Sequence, residues 1–414
     1  MERTLRGAAF ALIAYSLWCL LQPVAAGSAV YADDATSARD VASLTGSRAT
    51  AVHLTLAVTP SPPARDAVAA LQHAGVSVTW SGRGGTFAPL ALGAERIAEP
   101  SASVRILAAS SGAVEIADGL SVLDTVDARR GSTVIAGAPS GEVRATGGTS
   151  RAAVSIAPPV ALHGVLVIGR ATWESKFTIA ALEEAGWSVA ARLSVAPGAD
   201  VTQGIVSSLD TAHYSAVVAL DSALGTTGAA LARYVRSGGG LILAGEASRT
   251  AAMRELAPAT NADRRPSPTL TFDANQPLRS LPSSPFVAMR RDAVPLDVRD
   301  GVTLVAARRE GAGRIVQVGY DELWRWRMQG GESGAADHRA WWSRLVAGVI
   351  AVPPGPPDAV DEGAPVARLY NALGAPTVAP PRRAPDEQLP VWLLPAIAAL
   401  LLAEWGSRRF RGAP

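Results

Sequence analysis

A strand–helix–strand unit at Gly164–Arg192 constrains this chain more than any other stretch. The apolar run Val165–Ile168 is short and bounded by Gly164 and Gly169, as a buried strand would be. After it, Trp173, Phe177, Ala180 and Ala181 recur at helical spacing, with Ile179 and Leu182 three apart beside them. Gly186 stops that helix, and Trp187–Ala191 begins a second strand. A strand that crosses over through a helix into the next strand builds a parallel, helix-covered sheet. Further strands are expected at Tyr214–Asp221 and Leu241–Ala244, with a helix at Gly228–Val235 between them. A late hairpin pairs Val302–Ala307 with Arg314–Val318, and a closing helix runs over His338–Val352. Gly238–Gly240 come before a strand, whereas a phosphate-cradling loop follows one. They are therefore expected to stop a helix and make a tight turn.

The two ends read as membrane segments. Gly7–Ser28 carries no charge and follows Arg3 and Arg6. It is long enough to span, or to serve as a signal peptide cleaved near Val24–Ala26. Leu389–Ala403 is a second apolar run, followed by Trp405, Arg408, Arg409 and Arg411. Arginines on the outer side of both runs predict cytoplasmic tails and a translocated middle, outside the cytoplasm at the cell membrane. Integral membrane association and partners within the cell envelope follow as expectations.

The modules between these ends are expected at 29–50 (linker), 51–82 (a small strand–helix–strand unit) and 83–157 (an immunoglobulin-like β-rich module). The α/β domain at 158–352, a Pro-rich tether at 353–387, the second span at 388–406 and a basic tail at 407–414 complete the chain. The β-rich reading rests on short alternating segments such as SVRILAA, AVEIA and STVIAGA between turn residues. Lys+Arg of 38 against Asp+Glu of 36 gives no basic field, so nucleic acid is not an expected partner. Cys19, the only cysteine, lies in the first apolar run, which leaves no disulfide framework and no soluble thiolate. The five histidines are isolated and form no H-x-x-x-H pair, so no metal and no cofactor is expected.

Three segments, GRATWESKFTIAALEEAGW, YVRSGGGLILAGE and GRIVQVGYDELWRWRMQGGE…DHRAWW, together resemble the class I glutamine amidotransferase-like domain of bacterial membrane-anchored proteins. That family often combines the domain with immunoglobulin-like and von Willebrand A-like modules. The fold class so implied is α/β, a flavodoxin- or amidotransferase-like parallel sheet, preceded by a small β-rich sandwich and flanked by transmembrane helices. Active members place a cysteine on a sharp turn after one strand and a histidine after a later one. Here LILAG runs into Glu246, Ala247 and Ser248, and IVQV runs into Gly319, Tyr320, Asp321 and Glu322. Without thiolate and base no acyl-enzyme forms, so glutaminase activity is not expected. Nor does a G-x-S-x-G elbow surround Ser248.

The expected role is therefore a non-enzymatic scaffold or a binder of protein or small ligand, the ligand unspecified. The rival is a hydrolase or transferase that reuses Asp221, Glu246, Tyr320 or His338 in a strand-end crevice. The candidate surface comprises Arg170, Trp173, Glu174, Lys176, Asp221, Glu246, Tyr320, Trp324, Arg325, Arg327 and His338. Arginine beside tryptophan permits cation–π stacking and bidentate contacts with carboxylate or phosphate. Two uses of the Trp–Arg segment stay open. It recognises a ligand, or its tryptophans bury the closing helix while its arginines pair with Glu174, Glu183 or Glu322.

Overall fold

The computed structural model describes residues 29–33, 41, 50–58, 60–73, 75–82, 90–222, 227–267, 271–350 and 363–377, with a few positions between 399 and 409. Strands β1 (Ala29–Asp33), β2 (Ala51–Leu56) and β3 (Ser77–Gly82) form a parallel sheet in that order. Helix α1 (Pro62–His73) crosses from β2 to β3 and ends at Gly75, whose φ of +86° only glycine adopts easily. Leu54, Leu56, Val68, Leu71 and Trp80 fill the space between helix and sheet.

Two antiparallel sheets follow. One holds β4 (Leu90–Arg96), β5 (Val104–Ser110) and β8 (Ser132–Ala136). The other holds β6 (Ala113–Ala117), β7 (Val122–Asp127), β9 (Val143–Gly147) and β10 (Ser150–Val154). Leu92 and Ile106 from the first meet Val114, Ile116 and Val143 from the second, which makes a seven-stranded sandwich with a shared core.

The large domain comprises β11 (Gly164–Arg170), α2 (Trp173–Glu184), β12 (Val189–Ala196), β13 (Ala199–Gln203), β14 (Tyr214–Ala219), α3 (Gly228–Arg236) and β15 (Gly240–Leu243). It continues through β16 (Ala259–Asn261), β17 (Phe286–Met289), β18 (Val294–Arg299), β19 (Val302–Glu310), β20 (Gly313–Val318), α4 (Trp324–Gln329) and α5 (Gly331–Val349). Its eight-stranded sheet runs β13-β12-β11-β14-β15-β20-β19-β18. Period-two alternation sends Val165, Val167, Ala216, Val218 and Ile242 toward α2 and α5. Leu166, Ile168, Val217, Leu241 and Leu243 face α3 and the turn bearing Met253 and Leu256. Both faces are thus covered, which is why these strands read as unbroken apolar runs. Gly238 has φ +110°, a Cβ on Gly239 would lie 2.2 Å from the Tyr234 ring, and one on Gly240 would lie 2.7 Å from Val349. The triple glycine is a packed turn.

The structure corrects the expected fold class. The sheet is mixed rather than parallel, and strand exceeds helix, 37% against 25%. Strands β12, β11, β14, β15 and β20 are parallel, but β13, β19 and β18 add antiparallel partners at the two edges. Tight turns cause this. Asp300 and Gly301 both have positive φ, the conformation that closes a two-residue hairpin, and Gly198 turns β12 back into β13. The expected transmembrane helices are also corrected: among the described residues no helix is long and apolar enough to cross a membrane. The longest, α5, carries Glu332, Asp337, Arg339 and Arg344. The N-terminal apolar run lies outside the described residues, as does most of 388–406.

Two departures concern the linkers. Strand β1 falls in the stretch expected as linker. Helix α6 (Gly363–Leu373) falls inside the expected Pro-rich tether and packs on two units at once. Its Leu369 joins the core of the first unit, while Val366 and Ala367 cover Ala91, Leu107 and Ala109 on the outer face of β4 and β5. Trp80 Nε1 donates to Gly374 O at 2.9 Å, and Tyr370 meets the Trp80 ring edge-on at 5.4 Å.

Candidate functional site

The carboxyl ends of the parallel strands are where this kind of sheet binds ligands. β15 leaves the sheet through Gly245, at φ +55° and so close to Leu220 O that a Cβ would lie 2.4 Å from it. The turn leaves Glu246 exposed and Ser248 buried. Ser248 Oγ donates to Asn261 Oδ1 at 2.8 Å, and Gln317 Nε2 donates to the same oxygen at 2.5 Å. Asn261 Nδ2 in turn donates to Ser284 O at 3.1 Å, and Gln317 Oε1 accepts the Ala259 N–H at 2.8 Å. The amide groups of Asn261 and Gln317 thus close a buried polar network where a nucleophile would need a base. Ser248 has an amide oxygen as its partner, not an imidazole.

One strand over, β20 ends in an acidic turn. Asp321 accepts the Ser284 hydroxyl at 3.0 Å and lies 3.7 Å from the Arg264 guanidinium. Burial pushes its carboxyl upward, against the pull of Ser284, Arg264 and Arg249. Glu322 takes φ +56° to swing the chain toward α4, and it pairs with Arg264 at 2.5 Å and Arg325 at 3.6 Å. Tyr320 is buried; its hydroxyl donates to Asp297 Oδ2 at 2.6 Å, and Arg299 stands 5.6 Å over its ring. Burial first, and the carboxylate acceptor second, raise the phenol and hold it neutral.

Other expected site residues are tied into structure. Asp221 Oδ2 accepts the Arg170 N–H at 2.6 Å, which clamps the end of β14 to the end of β11, while Arg170 Nη2 reaches Ser222 at 3.5 Å. His338 is fully buried. Its Nε2 accepts Trp342 Nε1–H at 3.1 Å and its ring meets Trp326 edge-on at 6.1 Å. Burial, with Arg327 nearby, lowers its pKa to about 4, so the imidazole is neutral. Arg327 forms a paired contact with Glu184, at 2.5 and 3.1 Å, rather than with Glu174 or Glu183. Three of the rival's four side chains therefore have separate partners, since Tyr320 holds Asp297, Asp221 holds β11 and His338 holds Trp342, while Glu246 faces solvent.

The first turn of α2 is different. Trp173 is 56% exposed and stacks on Phe177 with ring centroids 5.7 Å apart and planes 16° from parallel. The Lys176 ammonium lies 4.8 Å from the Trp173 centroid and 5.6 Å from that of Phe177. Arg327 covers Phe177 from α4 at 5.6 Å, and Met328 beside it is 60% exposed. Beneath this layer the Glu174 carboxylate is buried and accepts the Trp324 N–H at 3.4 Å. Its other oxygen, Oε1, has no partner among the described residues. Burial, then the charges of Asp321 and Glu322, raise the carboxyl to about 7, while the backbone N–H groups of Trp324 and Leu323 pull the other way.

Comparison with protein-family models finds no match, and a search of curated proteins finds no relative. The geometry alone therefore sorts the expected residues. It gathers the exposed Trp173 and Lys176 with the half-buried Phe177 and Arg327 into one layer, and places Glu174, Trp324 and Arg325 beneath or beside it. It assigns Asp221, Tyr320 and His338 to internal bonds. Sequence reasoning missed Asn261, Ser284, Arg249 and Arg264. All four come from a segment with no hydrophobic period, where no local pattern marks which polar side chains turn inward.

Proposed function

We propose that the large domain is a non-catalytic binding module with a degenerate amidotransferase-like strand-end face, and that it engages its partner through the α2–α4 surface. The observation that carries this reading is the exposed Trp173–Phe177–Lys176 stack. A tryptophan left 56% exposed forgoes much of the ~25 cal/mol per Å² that burial would provide. The ring is nonetheless ordered by a parallel stack and a cation. Exposed aromatics held beside cations form the energetic centres of many interfaces. Such a surface suits a partner that offers an apolar or aromatic group next to a carboxylate. The polar network around Ser248 and Asn261 supports the non-catalytic half of the reading, because each member already has a protein partner.

Two measurements on the same protein test this. Partner capture with Trp173→Ala or Lys176→Glu is expected to fall while the fold and melting temperature stay near wild type. Incubation with glutamine or with activated esters is expected to give no turnover. Undiminished capture by both variants, or enzymatic turnover that Ser248→Ala abolishes, contradicts the proposal.

A further inference from the structure

The amino-terminal end of the same sheet faces a second feature. A cleft of about 1290 Å³ opens where the large domain, the sandwich, the first α/β unit and α6 meet. Its size exceeds the roughly 300–1,000 Å³ of common ligand sites. Its floor is apolar, built from Ala67 and Ala70 of α1, Leu107 of β5, Val316 of β20 and Leu345 of α5. Seven arginines and three carboxylates stand around that floor.

The charges do not balance. Each of the three carboxylates has an arginine: Asp66 holds Arg309 at 2.7 Å, Asp292 holds Arg308 at 2.9 Å, and Glu95 holds Arg368. Arg314 points its guanidinium at the carbonyls of Gly348 and Ile350, at 3.3 and 3.2 Å. The side chains of Arg105, Arg291 and Arg344 are exposed and make no ion pair or hydrogen bond with any described residue, and they come from three different elements or turns. The lining thus carries four more guanidinium groups than carboxylates, although Glu95 stands opposite Arg105 across β4 and β5 and the charge of Asp66 acts on Arg314. Burial and the charges of Arg309 and Arg368 hold Arg314 below the usual arginine value against the pull of Asp66, and burial with the same two arginines acts on Arg65 of α1 against Asp66 and Glu95. An anion beside Arg314 offsets that repulsion.

We propose that this cleft binds an acidic amphiphile: one molecule whose phosphate or carboxylate head is held by Arg105, Arg291, Arg314 and Arg344 and whose apolar body lies on the floor. Guanidinium forks match the oxygen geometry of both head groups, and the apolar floor favours an occupant with an apolar body over a bare inorganic anion. The site is at the opposite end of the sheet from the α2–α4 surface and is independent of the function proposed for that surface. Because four separate parts of the chain line it, an occupant would also bind them together.

The test uses the full chain and decyl phosphate below its micellar concentration, with inorganic phosphate and decanol as comparisons, by titration calorimetry at fixed salt. Decyl phosphate is expected to bind at least tenfold more tightly than either comparison. Arg105→Gln and Arg344→Gln are each expected to weaken it roughly tenfold or more. Both side chains lack described partners, so both variants are expected to keep the wild-type melting temperature without ligand. Absence of decyl phosphate binding overturns the proposal. So does equal binding of inorganic phosphate or decanol, or affinity unchanged in both variants.

Discussion

The carboxylate of Glu174 accepts the backbone N–H of Trp324 at 3.4 Å, which joins the first turn of α2 to the start of α4 across 150 residues. A carboxylate at a helix start satisfies N–H groups that have no partner within the helix. Here the bond fixes α4 against α2, and with it Arg327 over Phe177. The exposed layer and the buried acid beneath it are therefore one structural unit.

That burial makes the acid a titrating group near neutrality. Glu174 is raised from 4.5 to about 7 on folding, so its contribution to stability is full below pH 4.5 and is lost as pH rises through 7. His338 is lowered from 6.5 to about 4, so its contribution is full above pH 6.5 and is lost as pH falls through 4. The two contributions, each on the order of 3 kcal/mol, oppose one another between pH 4.5 and 6.5. Urea denaturation across this range is expected to show Glu174→Gln gaining stability as pH rises and His338→Gln losing it. Equal pH slopes in both variants and the wild type would falsify the assignment.

Helix α6 predicts long-range dependence. Leu369 and Trp80 share one buried cluster although 289 positions separate them along the chain. Leu369→Ala is expected to destabilise the first α/β unit by about 2–5 kcal/mol, the usual cost of emptying a buried leucine site. Limited proteolysis checks it: cleavage near 57–76 accelerates if α6 supports that unit. Unchanged cleavage there would show that α6 does not.

Backbone approach at the β19–β20 hairpin gives a third expectation. A Cβ at Gly313 would lie 2.1 Å from Val235 O and 2.5 Å from Gly239 O, both backbone atoms that cannot swing aside. Gly313→Ala is expected to cost at least ~1–3 kcal/mol. A Cβ at Gly137 meets nothing within 4 Å, so Gly137→Ala should fall within about 0.5 kcal/mol of wild type. Comparable melting temperatures for the two variants would refute the close contact.

Ser248 supplies a fourth. Its hydroxyl proton goes to Asn261 Oδ1, so a fluorophosphonate probe is expected to leave Ser248 unlabelled. Ser248→Ala is expected to lower stability by about 1 kcal/mol, the net value of one hydrogen bond. Rapid labelling at this position, read by peptide mass, would show an activated serine.

Much of the fold was legible where burial writes a pattern. Val165–Ile168 and Leu241–Ala244 read as strands because both faces of the sheet are covered, and Gly238–Gly240 read as a turn because of their order relative to β15. Of the antiparallel pairs, the β19–β20 hairpin was legible, whereas β13 and β18 were not, although Asp300-Gly301 is the dipeptide that closes a tight hairpin. Helix α6 was hidden because its reason to form is tertiary: its apolar residues cover two units built more than 250 residues earlier in the chain. At the candidate site the aromatic and cationic residues stood out as residue types. Their division into exposed stack and buried support was not visible, since Trp173 and Trp342 look alike until packing exposes one and buries the other.

The central claim is that Trp173 sits on a working interface. A photoreactive residue placed at 173 and, as a control, at the still more exposed Ile135 tests it directly in cells. The account predicts a discrete cross-linked product from position 173 that is absent from position 135 and is lost on Lys176→Glu. The same products from both positions, or none from 173, would contradict it.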